Sequence, residues 1–133
     1  MKTTSIFKAA GSTSTAIERV ARGLEWADAE FVAKELGVSL DRFADLVGVP
    51  RSTFFRRQSE GRFSVPESEH IMRFARLWEA ACAAFPNTRA AKSWLGRGQV
   101  GLDGSVPLDF AKSEFGARAV EDLIKRIQYG VLA

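Results

Sequence analysis

The sequence predicts an all-α protein. Apolar residues recur at spacings of three and four along most of the chain, which is the periodicity of helices that bury one face. Glycines and prolines stand mostly at the ends of these stretches, where they stop or start helices. No segment alternates apolar and polar residues over a useful length, so we expect no sheet. The 133 residues suffice for one domain or for two small domains that share a core.

Residues 39–58 predict two short helices around a tight turn. Ser39 is a suitable N-cap, because its hydroxyl can accept a hydrogen bond from the first turn of a helix. Gly48 can adopt the left-handed conformation that closes this helix, and Pro50 presets the backbone for the next one. Phe54 of the second helix is expected to point inward. This pattern is typical of a helix-turn-helix, whose second helix presents its early residues to base edges in the major groove.

The outward side of the second helix carries the candidate DNA contacts. The residues expected on the face opposite Phe54 are Arg51, Ser52, Phe55 and Arg56. Pro50 stands where a serine or threonine normally caps this helix, so the cap is expected to be weaker than usual.

The positive charge of the chain is concentrated in the same segment. Residues 51–62 hold four arginines and one acid, a net charge of +3, and the whole chain has 19 basic and 16 acidic residues. The rest of the chain is therefore balanced, with 15 of each. A DNA-binding face needs such charge, because phosphate neutralisation supplies most non-specific affinity. A solvated basic helix is the alternative, and the preceding turn favours DNA contact.

The N-terminal part divides into an arm and a domain. Residues 3–14 are mostly small and polar, apart from Ile6 and Phe7, and we expect residues 1–14 to form a flexible arm. Residues 15–63 are predicted to form the helix-turn-helix domain, with a first helix that ends near Leu24 and a second from about Trp26 to Leu36. The charged residues expected on the solvated face of this second helix are Asp28, Glu30, Lys34 and Glu35.

Residues 64–133 are predicted to form a second helical domain. Ser64 and Glu67 have the spacing of a capping box, and the long helix that follows stops before Pro86. We expect this helix to join the two domains. Asn87 can cap the short helix after it.

The last part of the chain predicts two more helices around a glycine. Residues 107–115 form the first, with Leu108, Ala111 and Phe115 on one side, and Gly116 is expected to break the chain after it. The final helix has an apolar face at helical spacing, consisting of Val120, Leu123, Ile124 and Ile127.

Patterns that could carry chemistry are weak. Gly96, Gly98 and Gly101 match the letters of GxGxxG, but a helix and not a buried strand precedes them, so we expect a connecting loop. Cys82 lies on an apolar helix face and is expected to be a buried structural thiol. His70 beside two glutamates indicates a polar helix face rather than a metal site. We therefore expect no enzyme, no catalytic site, no metal and no cofactor.

The composition also bears on the compartment. A single cysteine rules out an internal disulfide and is typical of an intracellular, reducing setting. No apolar run approaches the roughly 20 residues that span a bilayer. The first 15 residues lack the apolar core of a secretory signal. We expect a cytoplasmic protein without membrane contact.

The chain from about Leu36 to Ala133 resembles the Xre/MbcA/ParS group of bacterial antitoxins. The residues that carry the resemblance keep both order and spacing: Trp94, Leu95, Pro107, Leu108, Asp109, Glu114, Gly116, Ala117, Arg118, Val120, Leu123, Ile127 and Gly130. Asp103 is a departure, because the family usually has a second glycine there.

This resemblance implies an antitoxin that inhibits a RES-domain toxin, which consumes NAD⁺, and that binds operator DNA to autoregulate its operon. The C-terminal domain then binds the toxin, and its terminal segment closes the entrance to the NAD⁺ pocket. The toxin-facing candidates are Arg126, Gln128, Tyr129, Val131, Leu132 and Ala133. Arg57 is expected to contact a DNA phosphate, with its aliphatic stem packed inward.

Two further expectations concern assembly and the alternative function. A homodimer is expected, since a helix-turn-helix usually reads paired half-sites. The alternative is a helix-turn-helix repressor whose C-terminal half serves only dimerisation or ligand sensing.

Overall fold

The computed structural model describes residues 4–130, and over this range it contains helices and no strand. The helices are α1 (Thr4–Ala10), α2 (Thr13–Arg22), α3 (Trp26–Leu36), α4 (Leu40–Leu46), α5 (Arg51–Glu60), α6 (Val65–Ala84), α7 (Thr88–Leu95), α8 (Pro107–Phe110) and α9 (Glu114–Gln128). The predicted all-α class is confirmed. None of the described helices has the length and hydropathy needed to cross a membrane.

The chain divides into two compact units between Arg76 and Leu77. The sequence placed the boundary before Ser64, at the start of the long helix, whereas the division falls inside α6. The reason is visible in the first half of α6, where the buried ring of Phe74 lies 6.1 Å from the ring of Phe43 in α4. The first turns of α6 therefore complete the core of the first unit.

The core of the first unit is an aromatic cluster centred on Phe54 of α5. The Phe54 ring is fully buried and lies 5.1 Å from the Trp26 ring, 5.5 Å from the Phe63 ring and 6.3 Å from the Phe43 ring. Two of these contacts, with Trp26 and Phe43, are edge-to-face, an arrangement that the ring quadrupole favours. The predicted inward orientation of Phe54 is confirmed, and the cluster joins α3, α4 and α5.

The N-terminal segment differs from the flexible arm that the sequence predicted. Helix α1 occupies residues 4–10, with Ile6 and Ala9 buried. The Phe7 ring lies 5.2 Å from the ring of Phe31 in α3. These apolar side chains give the segment a face that packs, and the sequence did not indicate where it would pack.

The expected solvation of Asp28 is wrong. Asp28 is 3% exposed, and both of its carboxylate oxygens lie 3.0 Å from Nη2 of Arg19 in α2. Oδ2 also accepts a hydrogen bond of 3.0 Å from the backbone N–H of Glu25. Asp28 is the third residue of α3, so its carboxylate can satisfy an orphan N–H at the helix start while Arg19 balances its charge.

In the second unit, Gly116 is not a helix break. It lies inside α9, where its N–H donates to Oγ of the N-cap Ser113 at 3.0 Å. A β-carbon at residue 116 would overlap the carbonyl oxygen of Phe110. Glycine is therefore required because the start of α9 lies against the end of α8.

The helices are instead interrupted between Phe110 and Glu114, and this interruption changes the environment of Phe115. The sequence predicted one helix over residues 107–115 with Phe115 on its buried side, but α8 ends at Phe110 and α9 begins at Glu114. The helical phase is lost between them, so Leu108 and Ala111 are buried while Phe115 is 87% exposed. The predicted burial of Phe115 is wrong.

Candidate functional site

The first candidate surface is built by α4, the turn after it and α5. Oγ of Ser39 accepts a hydrogen bond of 3.1 Å from the backbone N–H of Arg42, so the predicted N-cap is confirmed. Gly48 has φ +72°, the left-handed conformation that the turn requires. Pro50 is the N-cap of α5 and supplies no side-chain hydrogen bond, as the sequence predicted.

The structure exposes most of the predicted outward face of α5. Arg51, Ser52 and Arg56 are exposed, as expected for groups that reach a DNA groove. Phe55 is half-buried, with its ring 5.9 Å from the Trp26 ring and 5.3 Å from the Phe54 ring. Phe55 therefore belongs partly to the aromatic cluster, and only part of its ring is available on the outward face.

Three of the four arginines in residues 51–62 already have anionic partners. Nε of Arg56 donates to Glu60 at 3.3 Å, and both side chains are about half exposed. Arg62 donates to the carbonyl oxygen of Gly23 at 2.6 Å and lies 3.4 Å from the Glu25 carboxylate. Among the described residues, Arg51 alone of the four makes no ion pair.

Arg57 has the most extensive pairing of the four. Its Nε and Nη2 donate to the two carboxylate oxygens of Glu67 at 2.9 and 2.8 Å, and Nη1 donates to Glu60 at 2.7 Å. The hydrogen bond from Arg57 holds the pKa of the Glu67 carboxyl below its usual range and raises the pKa of Arg57 itself. The pair therefore stabilises the fold above the ordinary glutamate pKa, and this contribution is lost as the pH falls.

The sequence predicts one of the two contacts that the Glu67 side chain makes. The capping box at the start of α6 is confirmed, because Ser64 N–H donates to Glu67 at 2.8 Å and Glu67 N–H lies 3.3 Å from Ser64 Oγ. The pairing of Glu67 with Arg57 was missed. These residues are ten positions apart on different helices, so no helical spacing relates them.

The second candidate surface is the end of α9. Of the six residues assigned to it, Arg126, Gln128 and Tyr129 are exposed, and Tyr129 is 71% exposed. Gly130 follows with φ +68°. Val131, Leu132 and Ala133 lie outside the described residues.

The second unit exposes further apolar side chains that the sequence did not single out. Val100 is 95% exposed, Phe115 is 87% exposed and Phe110 is 37% exposed. Val100 begins a short 3₁₀ turn, Val100–Leu102, inside the glycine-rich loop, and Leu102 of this turn is buried. Single exposed apolar side chains are common on protein surfaces, and a contiguous apolar patch is what marks a partner surface.

Cys82 and His70, to which the sequence gave no chemical role, have different environments from those expected. Cys82 is half-buried, not buried. His70 lies with Nδ1 2.9 Å from the carbonyl oxygen of Val47. The imidazole thus contacts the end of α4 and is more than a solvated polar group.

Two family models match the chain. The antitoxin Xre-like helix-turn-helix domain matches residues 15–76, and the antitoxin Xre/MbcA/ParS C-terminal toxin-binding domain matches residues 80–130. Together they cover most of the sequence, and they meet where the two compact units divide. The chain belongs to the Xre/MbcA/ParS antitoxin family.

Named relatives agree with the Xre assignment. Antitoxin Xre of Yersinia enterocolitica is 39% identical over 88 residues, which are 65% of this chain and 60% of the relative. Antitoxin Xre of Photorhabdus laumondii is 32% identical over 90 residues, which are 66% of this chain and 61% of the relative. The matched segment thus spans about 60% of the length of these Xre proteins.

Proposed function

We propose that this chain is an antitoxin that binds operator DNA through α5 and inhibits a toxin through residues 77–133. The exposed arginines of α5 support the first part, because Arg51 and Arg56 can reach base edges and phosphates. The observation that carries the second part is the exposed aromatic ring of Tyr129 at the end of a toxin-binding family domain. A homodimer reading two half-sites is part of the proposal.

Arg56→Ala is expected to weaken operator binding by about 1–3 kcal/mol, the usual discrimination of an arginine bound to a guanine. The measurement is fluorescence anisotropy with the DNA upstream of the gene, at one fixed salt concentration. Arg118→Ala is the matched control, because Arg118 also pairs through Nε at 3.3 Å with a glutamate four residues away, in the second unit. Equal losses in the two variants would contradict a base contact by Arg56.

The toxin proposed as partner is a RES-domain protein that consumes NAD⁺, as the family resemblance implies. We propose that residues 129–133 enter the mouth of its NAD⁺ pocket, while Arg126 and Gln128 contact the rim. An aromatic residue, a glycine and three apolar residues suit this role, because filling an apolar cavity excludes substrate without chemistry. The exposed side chains of Val100 and Phe115 offer additional contact area outside the pocket.

Deletion of residues 129–133 is expected to abolish neutralisation of the toxin and to leave operator binding unchanged. The measurements are growth of cells that express the toxin, NAD⁺ consumption by the purified pair, and DNA affinity. A second variant replaces the five residues with glycine and serine, which keeps the length but removes the side chains. Full rescue by both variants would favour the alternative, a repressor whose C-terminal half only dimerises or senses a ligand.

A further inference from the structure

The Arg57 guanidinium is occupied on all of its nitrogens. Two of them donate in parallel to the two oxygens of Glu67, and the third donates to Glu60. Such fork-on-fork pairing is the strongest geometry available to an arginine and a carboxylate. Three of the five N–H groups are used in this way, and the two carboxylates offset the charge of Arg57, so another anion has to compete with two acids that already hold it.

The Arg57–Glu67 pair is also sheltered from solvent. The two side chains are 18% and 15% exposed, whereas those of the neighbouring Arg56–Glu60 pair are 55% and 45% exposed. Salt screens a sheltered pair much less than an exposed one. Salt anions, or a DNA phosphate close to α5, therefore compete poorly with Glu67 for Arg57.

Glu67 links two helices through this contact. The same Oε1 atom that accepts from Arg57 also accepts from the backbone N–H of Ser64, at the start of α6. Arg57 lies on the second turn of α5, so the carboxylate fixes the rotation of α5 about its axis relative to the start of α6. That rotation decides which base edges Arg51 and Arg56 can reach.

We propose that Glu67 is a specificity-determining residue, which keeps Arg57 away from the DNA backbone and holds α5 in the orientation that reads the operator. Arg57 is thus a positioning residue, in place of the phosphate contact that the sequence predicted. This inference rests on the proposed DNA binding. It means that the chain suppresses part of its own non-specific affinity.

The proposal has a quantitative consequence in salt dependence. Each phosphate neutralised by a cation contributes about −0.9 to the slope of log K against log salt concentration. Glu67→Gln keeps the volume and an acceptor for Ser64 but loses the charge that holds Arg57. We expect its slope on non-operator DNA to steepen by about 0.9, its non-specific affinity at 0.15 M salt to rise roughly fivefold, and its preference for the operator to fall.

Two variants make this test decisive. Glu69→Gln is the charge-matched control, because Glu69 is exposed on the same turns of α6 and the described residues give it no ion pair. Its slope is expected to stay at the wild-type value. Arg57→Gln, which leaves the Ser64–Glu67 contact in place, is expected to lose operator preference without any change in slope.

The results that overturn the proposal are equally definite. They are a slope for Glu67→Gln that matches the slope for Glu69→Gln, or a slope for Arg57→Gln that is shallower by about 0.9, which would make Arg57 a phosphate contact. If the wild-type protein itself shows no preference for the operator, the proposed DNA function fails, and the slopes on non-operator DNA still decide whether Glu67 restrains Arg57.

Discussion

Gly116→Ala is expected to destabilise the second unit by about 3 kcal/mol or more. The added β-carbon would occupy the position of the Phe110 carbonyl oxygen, and backbone cannot turn away as a flexible side chain can. Relief requires α8 and the start of α9 to separate, which exposes the buried Ala117 and Leu108. Urea unfolding followed by circular dichroism measures the loss.

The matched control for this substitution is Gly96→Ala. Gly96 lies in the same unit with φ −96°, and its added β-carbon would approach the Lys92 carbonyl oxygen only to an ordinary contact of 3.4 Å. A change within about 0.5 kcal/mol is expected there. If the two variants were equally stable, the close approach of α8 and α9 would not be the reason for glycine at residue 116.

Interactions between residues close in the chain could be predicted from the sequence. The caps at Ser39 and Asn87 and the capping box at Ser64 all form, because each joins a side chain to a backbone N–H three residues away. Such contacts depend on local helical geometry alone. The ends of α3 are likewise as predicted, since Gly37 closes the helix in the left-handed conformation.

Interactions between distant residues could not be predicted in this way. The sequence places Asp28 on a solvated helix face, yet its side chain is buried and pairs with Arg19 of another helix. The sequence likewise predicts Glu67 only as a capping residue, although it also pairs with Arg57. The count of arginines in residues 51–62 has the same weakness. It gives the charge of a segment but not how much of that charge pairs with acids outside it.

Gly116 and Phe115 illustrate a further limit. A glycine between two helical stretches is equally consistent with a break and with a close approach of backbones, and only the packing of α8 on α9 decides. A wrong choice shifts the helical phase, so the predicted burial of Phe115 is inverted. The family resemblance indicated a partner for this unit but not which apolar side chains it exposes.

Phe54→Ala is expected to cost about 3–5 kcal/mol, the range for removing a buried phenylalanine from a core. The Phe54 ring is fully buried at the centre of the aromatic cluster, and the cavity would face Trp26, Phe43 and Phe63 at once. These three rings come from α3, α4 and the segment before α6, so they cannot collapse together without moving α5. The measurement is the free energy of unfolding from urea titration at neutral pH.

Phe55→Ala is the natural comparison, because it removes the same ring from the next position of α5. Phe55 is half-buried and contacts the cluster from its edge, so we expect a loss of about 1–2 kcal/mol, well below that of its neighbour.

Operator affinity distinguishes the Phe54 and Phe55 variants further. Phe54→Ala should weaken it only as the folded fraction falls, whereas Phe55→Ala should weaken it in fully folded protein if the exposed part of the ring contacts DNA. Equal unfolding free energies for the two variants would mean that α5 is rotated from the orientation described, and the exposure of Arg51 and Arg56 would change with it.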